Sequence, residues 1–146
     1  MSENRDIDLD GWDLHRAAIE NTAEIARALI ARGDEVDVRD DTGWTPLHWA
    51  AGHNSLDVVR LLIEYGSEFN ARDDREWTPL HWAAAHNSLD AARLLIEHGA
   101  DINARDNLDF TSLRRAVQKN SSEVALLLIE HGADTNGIDL SWMESQ

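Results

Sequence analysis

The sequence predicts an all-α solenoid of four stacked helix-turn-helix units, and three observations carry that expectation. The string Trp44-Thr45-Pro46-Leu47-His48-Trp49-Ala50-Ala51 returns intact as Trp77-Thr78-Pro79-Leu80-His81-Trp82-Ala83-Ala84, 33 residues later. Residues 40–72 and 73–105, compared position by position, agree at 24 sites and differ at 9. The frame also extends outward: Leu14, Leu47, Leu80 and Leu113 align, as do Ala17, Ala50, Ala83 and Ala116, and Gly33, Gly66, Gly99 and Gly132. Self-similarity at a fixed period of this size marks repeated supersecondary units that bury their faces against one another. One domain over 1–146 follows, with units at about 7–39, 40–72, 73–105 and 106–138 and a tail at 139–146.

Each unit reads as helix, tight turn, helix and loop. Thr45 suits an N-cap because its hydroxyl can accept from an orphan amide, and Pro46 suits the first helical position, where no N–H is needed. Leu47, Ala50 and Ala51 give this helix a small apolar face. Asn54, aligned with Asn21, Asn87 and Asn120, stands where the chain reverses and tolerates the left-handed conformation. Ser55 is placed to cap the second helix, with Asp57 near the positive end of its dipole. Leu56, Val59, Leu62 and Ile63 have the spacing of a buried helical stripe. Gly66 then stands where a left-handed C-cap is needed. The outer units drift from this pattern, as terminal repeats do when one face meets water.

Composition narrows the chemistry. A chain of 146 residues can bury roughly 68–70% of its unfolded surface, enough for a core without covalent staples. No cysteine is present, which removes disulfides, thiolate nucleophiles and thiolate metal sites. Twenty-eight acidic against 13 basic residues give a net charge of -15, which repels phosphate backbones and anionic lipid. The expected partner is another protein with a basic or apolar surface, not a nucleic acid or a membrane. No apolar run has the length of a membrane span, and Met1 to Asp6 lacks the basic-then-apolar order of a secretory signal. An intracellular setting is expected. The likeness of the two central units, the absence of cysteine and one lysine against twelve arginines fit a repeat scaffold, natural or consensus-derived, adjusted to a chosen partner, an engineered binder included, and equally fit recent repeat duplication in a natural protein.

A 33-residue unit carrying Thr-Pro-Leu-His, then Leu-Leu-Ile-Glu, then Gly-Ala-Asp-Ile-Asn-Ala closely resembles the ankyrin repeat, and the resemblance runs from about 7 to 138. It implies an all-α ankyrin-repeat solenoid with β-turn fingers projecting at each junction, a protein-binding role, no catalytic residues and no cofactor. Trp12-Asp13 and Thr111-Ser112 depart from Thr-Pro at the two ends. The finger glycine Gly43 gives way to Glu76 and Asp109, so those two fingers are expected to differ in backbone.

Carried over by alignment, the recognition surface comprises finger residues Asp41, Thr42 and Trp44, then Asp74, Arg75 and Trp77, then Asn107, Leu108 and Phe110. First-helix positions Gly52, His53, Ala85, His86, Gln118 and Lys119 complete it. Trp44, Trp77 and Phe110 would form a stacked row across adjacent fingers, an apolar patch of the kind that anchors partners, with packing against the next finger as the alternative. Trp49 and Trp82 are expected to be partly buried between repeats while their indole N–H groups can still face the groove. His53, His86 and Arg75 would tune the patch.

Other chemistries find less footing. His48 and His81 read as hydrogen-bond locks within the Thr-Pro-Leu-His motif. His53 and His86 lie in a row, which cannot surround an ion, so no metal site is expected. Asp40-Asp41 and Asp73-Asp74 read as solvated turn carboxylates, and no serine sits in a nucleophile elbow, so no catalysis is expected. Asn70 and Asn103 lie in a setting similar to ankyrin asparagines that are hydroxylated, with backbone hydrogen bonding as the plainer role. The last helix, Val124 to Ile129, is apolar on more than one side. Either the tail residues Leu140, Trp142 and Met143 cover it, leaving a monomer, or a second copy does, which would make the protein a self-associating structural element.

Overall fold

A computed structural model describes residues 7–141 and 143. Eight helices lie among them, in four antiparallel pairs: α1 (Leu14–Glu20) with α2 (Ala23–Ala31), α3 (Pro46–Gly52) with α4 (Leu56–Glu64), α5 (Pro79–Ala85) with α6 (Leu89–Glu97), and α7 (Ser112–Gln118) with α8 (Ser122–Glu130). Helices of seven and nine residues are too short to persist alone, so burial must hold them. The odd-numbered helices pack on one another in a row, and the even-numbered helices form a second row behind. Leu14, Leu47, Leu80 and Leu113 from the first row, and Leu29, Leu62, Leu95 and Leu128 from the second, are almost completely buried. The 33-residue period is thus the period of the core itself.

Thr45 and Thr78 cap α3 and α5 as expected, each hydroxyl accepting from the amide three residues on at 3.3 Å. Asp13 and Thr111 do the same work at the two ends despite the altered sequence. Ser55, Ser88 and Ser121 do not cap the second helices with their side chains. The asparagines of the preceding repeat do so instead. Asn21, Asn54 and Asn87 hold φ of 53°, 53° and 52°, and their Oδ1 atoms accept from the Val58, Ala91 and Val124 amides at 3.2, 2.9 and 3.2 Å. Each of these asparagines therefore reverses its own repeat and caps the next one. Asn54→Ala is expected to lower stability by about 2 kcal/mol, roughly half from the lost cap and half from the left-handed backbone. Asn54→Gly should cost about half as much, because glycine restores only the backbone; urea melts of the two variants separate the contributions.

The fingers also differ from expectation. Glu76 (φ 61°) and Asp109 (φ 66°) adopt the same left-handed conformation as Gly43 (φ 78°). All three fingers close with the same pair of backbone bonds, such as Glu76 N–H to the Asp73 carbonyl at 2.8 Å and Asp73 N–H to the Trp77 carbonyl at 3.0 Å. Turn hydrogen bonding outweighs the residue preference. Arginines then tie finger to finger: Arg39 donates to the Arg72 carbonyl, and Arg72 to the Arg105 carbonyl, both at 2.6 Å. At the C-terminal end, Ile138 and Met143 pack against the core, while Leu126 stays 51% exposed. Trp142 lies outside the described residues. No described helix is long and apolar enough to cross a membrane.

Candidate functional site

The aromatic residues converge where the fingers meet the first helices, but not as a row of finger rings. Trp44 contacts Trp49 at 4.2 Å between ring centroids and Trp82 at 4.1 Å, and Trp82 contacts Trp77 at 4.4 Å. Helix residue Trp82 therefore lies between the finger residues Trp44 and Trp77. Arg115, the fourth-unit counterpart of Trp49 and Trp82, takes the next place, 4.7 Å from the ring centres of both Trp77 and Phe110. The result is a zigzag ladder of rings and guanidinium planes across three fingers.

The ladder has a buried side and an open side. Trp77 is 4% exposed, which corrects the expectation that it offers a binding face. It is packed by Trp82 and covered by Arg75 and Arg115. Trp82 is 8% exposed, more deeply set than partial burial implied, while Trp44, Trp49 and Phe110 are half-buried. Asp41, Thr42, His53, Asp74, Arg75, His86, Leu108 and Lys119 all stand exposed around the rings.

Beneath the ladder lies a hub that the adjacent aspartates concealed. Asp40, Asp73 and Asp106 are not solvated turn acids. In each finger one carboxylate oxygen accepts two backbone amides, as Asp73 Oδ1 accepts from Arg75 and Trp77 at 2.9 Å each. The other oxygen accepts from the residue nine positions on: the Trp49 indole on Asp40 and the Trp82 indole on Asp73, both at 2.8 Å, and the Arg115 guanidinium on Asp106 at 2.7 Å. Desolvation pushes the Asp40 and Asp106 carboxyls upward. For Asp40 the bonds from Trp49, Thr42 and Trp44 outweigh it, and for Asp106 those from Phe110, Arg115 and Leu108, so both lie below the ordinary range. The recurring Asp-to-Trp or Asp-to-Arg spacing of nine was the signal in the sequence that could have revealed the hub.

His48 and His81 lock neighbouring repeats. The Thr45 amide donates to His48 Nδ1 at 3.0 Å, so the ring proton sits on Nε2, which donates to the Trp77 carbonyl at 2.8 Å. His81 repeats this arrangement with Thr78 and the Phe110 carbonyl, and His15 reaches the Trp44 carbonyl at 2.9 Å. Burial lowers the pKa of both His48 and His81 below 6.5, with the bond to the carbonyl opposing it. Below pH 6.5 the unfolded chain binds protons that these native rings refuse, so stability is complete above that pH and falls as pH drops further. The slope should reach about 1.4 kcal/mol per pH unit for each ring held neutral. Melts between pH 7.5 and 5.0 check this, and His48→Gln should flatten the dependence.

Beside the ladder opens a cavity of about 330 Å³ lined by Trp44, Trp49, Trp82, Gly52, His48, His53 and His86. Trp49 stacks on His53 and Trp82 on His86, each at 5.9 Å. A second hollow of about 320 Å³ shares Trp44 and Trp49 and continues along Asp40, Asp41 and Thr42. Lys119 and Leu108 line neither of these hollows. Among the described residues, no three histidine or acidic side chains converge as a metal site would require. Asn70 and Asn103 spend Oδ1 on the amides of Asp101 and Asp134, at 2.9 and 2.8 Å.

A family model described as ankyrin repeats (3 copies) matches residues 14–106 and 70–139. No curated protein matches the chain.

Proposed function

We propose, for a chain that belongs to the ankyrin-repeat family, that the open side of the aromatic ladder holds a basic segment of a partner protein. Ankyrin repeats generally mediate protein–protein interaction, and the family is typically a non-enzymatic scaffold. The observation that carries the finer reading is the pair of adjoining hollows over Trp44 and Trp49, rimmed by Asp41, Thr42, His53 and His86. Half-buried tryptophans bury much area on contact at little entropic cost, which is how hot spots form. A net charge of -15 steers a basic partner toward this surface and repels nucleic acid. Arg75, Asp74 and Leu108 would meet the partner at the finger tips, and Lys119 at the far end of the helix row.

The test compares affinity capture by the wild type with capture by Trp44→Ala and by Asp41→Arg/Asp74→Arg, at matched melting temperatures. A protein retained by the first, lost by both variants and released by salt supports the reading. Equal retention by all three overturns it. The exposed Leu126 favours a second reading, self-association through the C-terminal face. Light scattering across a concentration series is expected to report a monomer.

A further inference from the structure

The hollow between the two central repeats is chemically unusual for a surface that favours cations. Its walls are aromatic, two Trp–His stacks and Trp44, and no acidic side chain lines it among the described residues. Ring faces attract cations through their quadrupole. The Asp40 and Asp73 carboxylates accept from the indole N–H groups of Trp49 and Trp82 and add negative potential, yet neither lines this hollow, Asp40 lining the adjoining one instead.

The protein's own cations leave this end of the ladder largely free. Arg115 and Arg75 lie over Trp77, and Arg114 and Arg115 over Phe110. Trp82 has only Arg75, at 5.7 Å, and no described guanidinium covers Trp44 or Trp49. At the rim the neutral form of His86 is favoured: burial lowers its pKa, and the nearby charges of His53 and Lys119 lower it further.

The absence of a lining carboxylate decides which cation fits. An ordinary lysine ammonium is strongly hydrated and carries three N–H donors that need acceptors when water is lost. A trimethylated ammonium has the charge and no donors, so it can trade water for ring faces without leaving a bond unmade. The geometry points to this hollow as a site for a trimethylammonium group, carried on a trimethylated lysine within the basic segment that the groove is proposed to hold. The inference rests on that groove reading for its polypeptide source, because the hollow is continuous with the finger surface through Trp44 and Trp49.

The experiment follows tryptophan fluorescence and calorimetry with three probes at constant ionic strength. These are tetramethylammonium chloride against sodium chloride, one arginine-rich peptide with its central lysine either unmodified or trimethylated, and choline. Saturable binding of tetramethylammonium is expected, with the trimethylated peptide bound about tenfold more tightly than the unmodified one. Gly52→Leu should abolish that tenfold preference, bringing the two peptides to equal affinity. Gly52 lies in the helix and lines the hollow, and a Cβ added there would rest 3.7 Å from His86 and 3.8 Å from Trp82, ordinary contact distances, so the larger side chain takes up space in the hollow. Trp44→Ala should remove the preference as well. No response to tetramethylammonium beyond that to sodium, or equal affinities for the two peptides, overturns the inference. Choline bound more tightly than the trimethylated peptide overturns its polypeptide source. The groove reading falls separately, only if partner capture survives both Trp44→Ala and Asp41→Arg/Asp74→Arg.

Discussion

Trp77→Ala is expected to lower stability by about 3–5 kcal/mol, the usual cost of deleting a large aromatic side chain from a core. The ring is buried by Trp82 on one side and by the aliphatic and guanidinium surfaces of Arg75 and Arg115 on the others. Removing it empties the junction between the second and third fingers, so neighbouring repeats lose contact together. Trp77→Phe supplies the contrast. It keeps most of the packing and removes an indole N–H that has no hydrogen-bond partner among the described residues. Its cost should stay under about 1.5 kcal/mol. Chemical denaturation of both variants checks the pair. A small loss for Trp77→Ala would mean that Trp77 is a surface residue after all.

Asp73→Ala is the second large effect. It strips acceptors from the Arg75 and Trp77 amides and from the Trp82 indole. Two of those donors are buried, and at about 1–3 kcal/mol for each orphaned donor the expected loss is about 3 kcal/mol. For a domain of this size that lowers the melting temperature by about 6–12 °C. Asp73→Asn should recover part of the loss, since its amide oxygen can serve either the two backbone amides or the indole, but not both. Scanning calorimetry of the two variants measures the difference. The same substitution at Asp74, whose side chain is exposed, should change little.

The fold was legible because repetition reports packing. A leucine recurring every 33 residues had to face the same neighbour in each unit, and Leu14 through Leu128 do so. Caps were legible where the donor is local, as at Thr45. They were hidden where the acceptor comes from another repeat, as with Asn54 on the Ala91 amide, because a contact 37 residues away leaves no local pattern. Glu76 and Asp109 misled because residue preference is weaker than a closed turn. Trp77 misled for a related reason. Whether a finger aromatic faces water depends on what the next repeat sets against it, and there Arg115 replaces tryptophan. How deeply each ring is set, as with Trp77 at 4% and Trp82 at 8% exposure, was not legible.

The open face of the ladder, and not the outer helix row, is the surface proposed to receive the partner. Proton–nitrogen spectra of the labelled chain, recorded with and without the captured partner, test it directly. The largest changes are expected at the Trp44 and Trp49 indoles and in the fingers at 40–44 and 73–77, with the buried Trp77 indole moving little. Changes confined to α4, α6 and the exposed surface around Leu126 would contradict it.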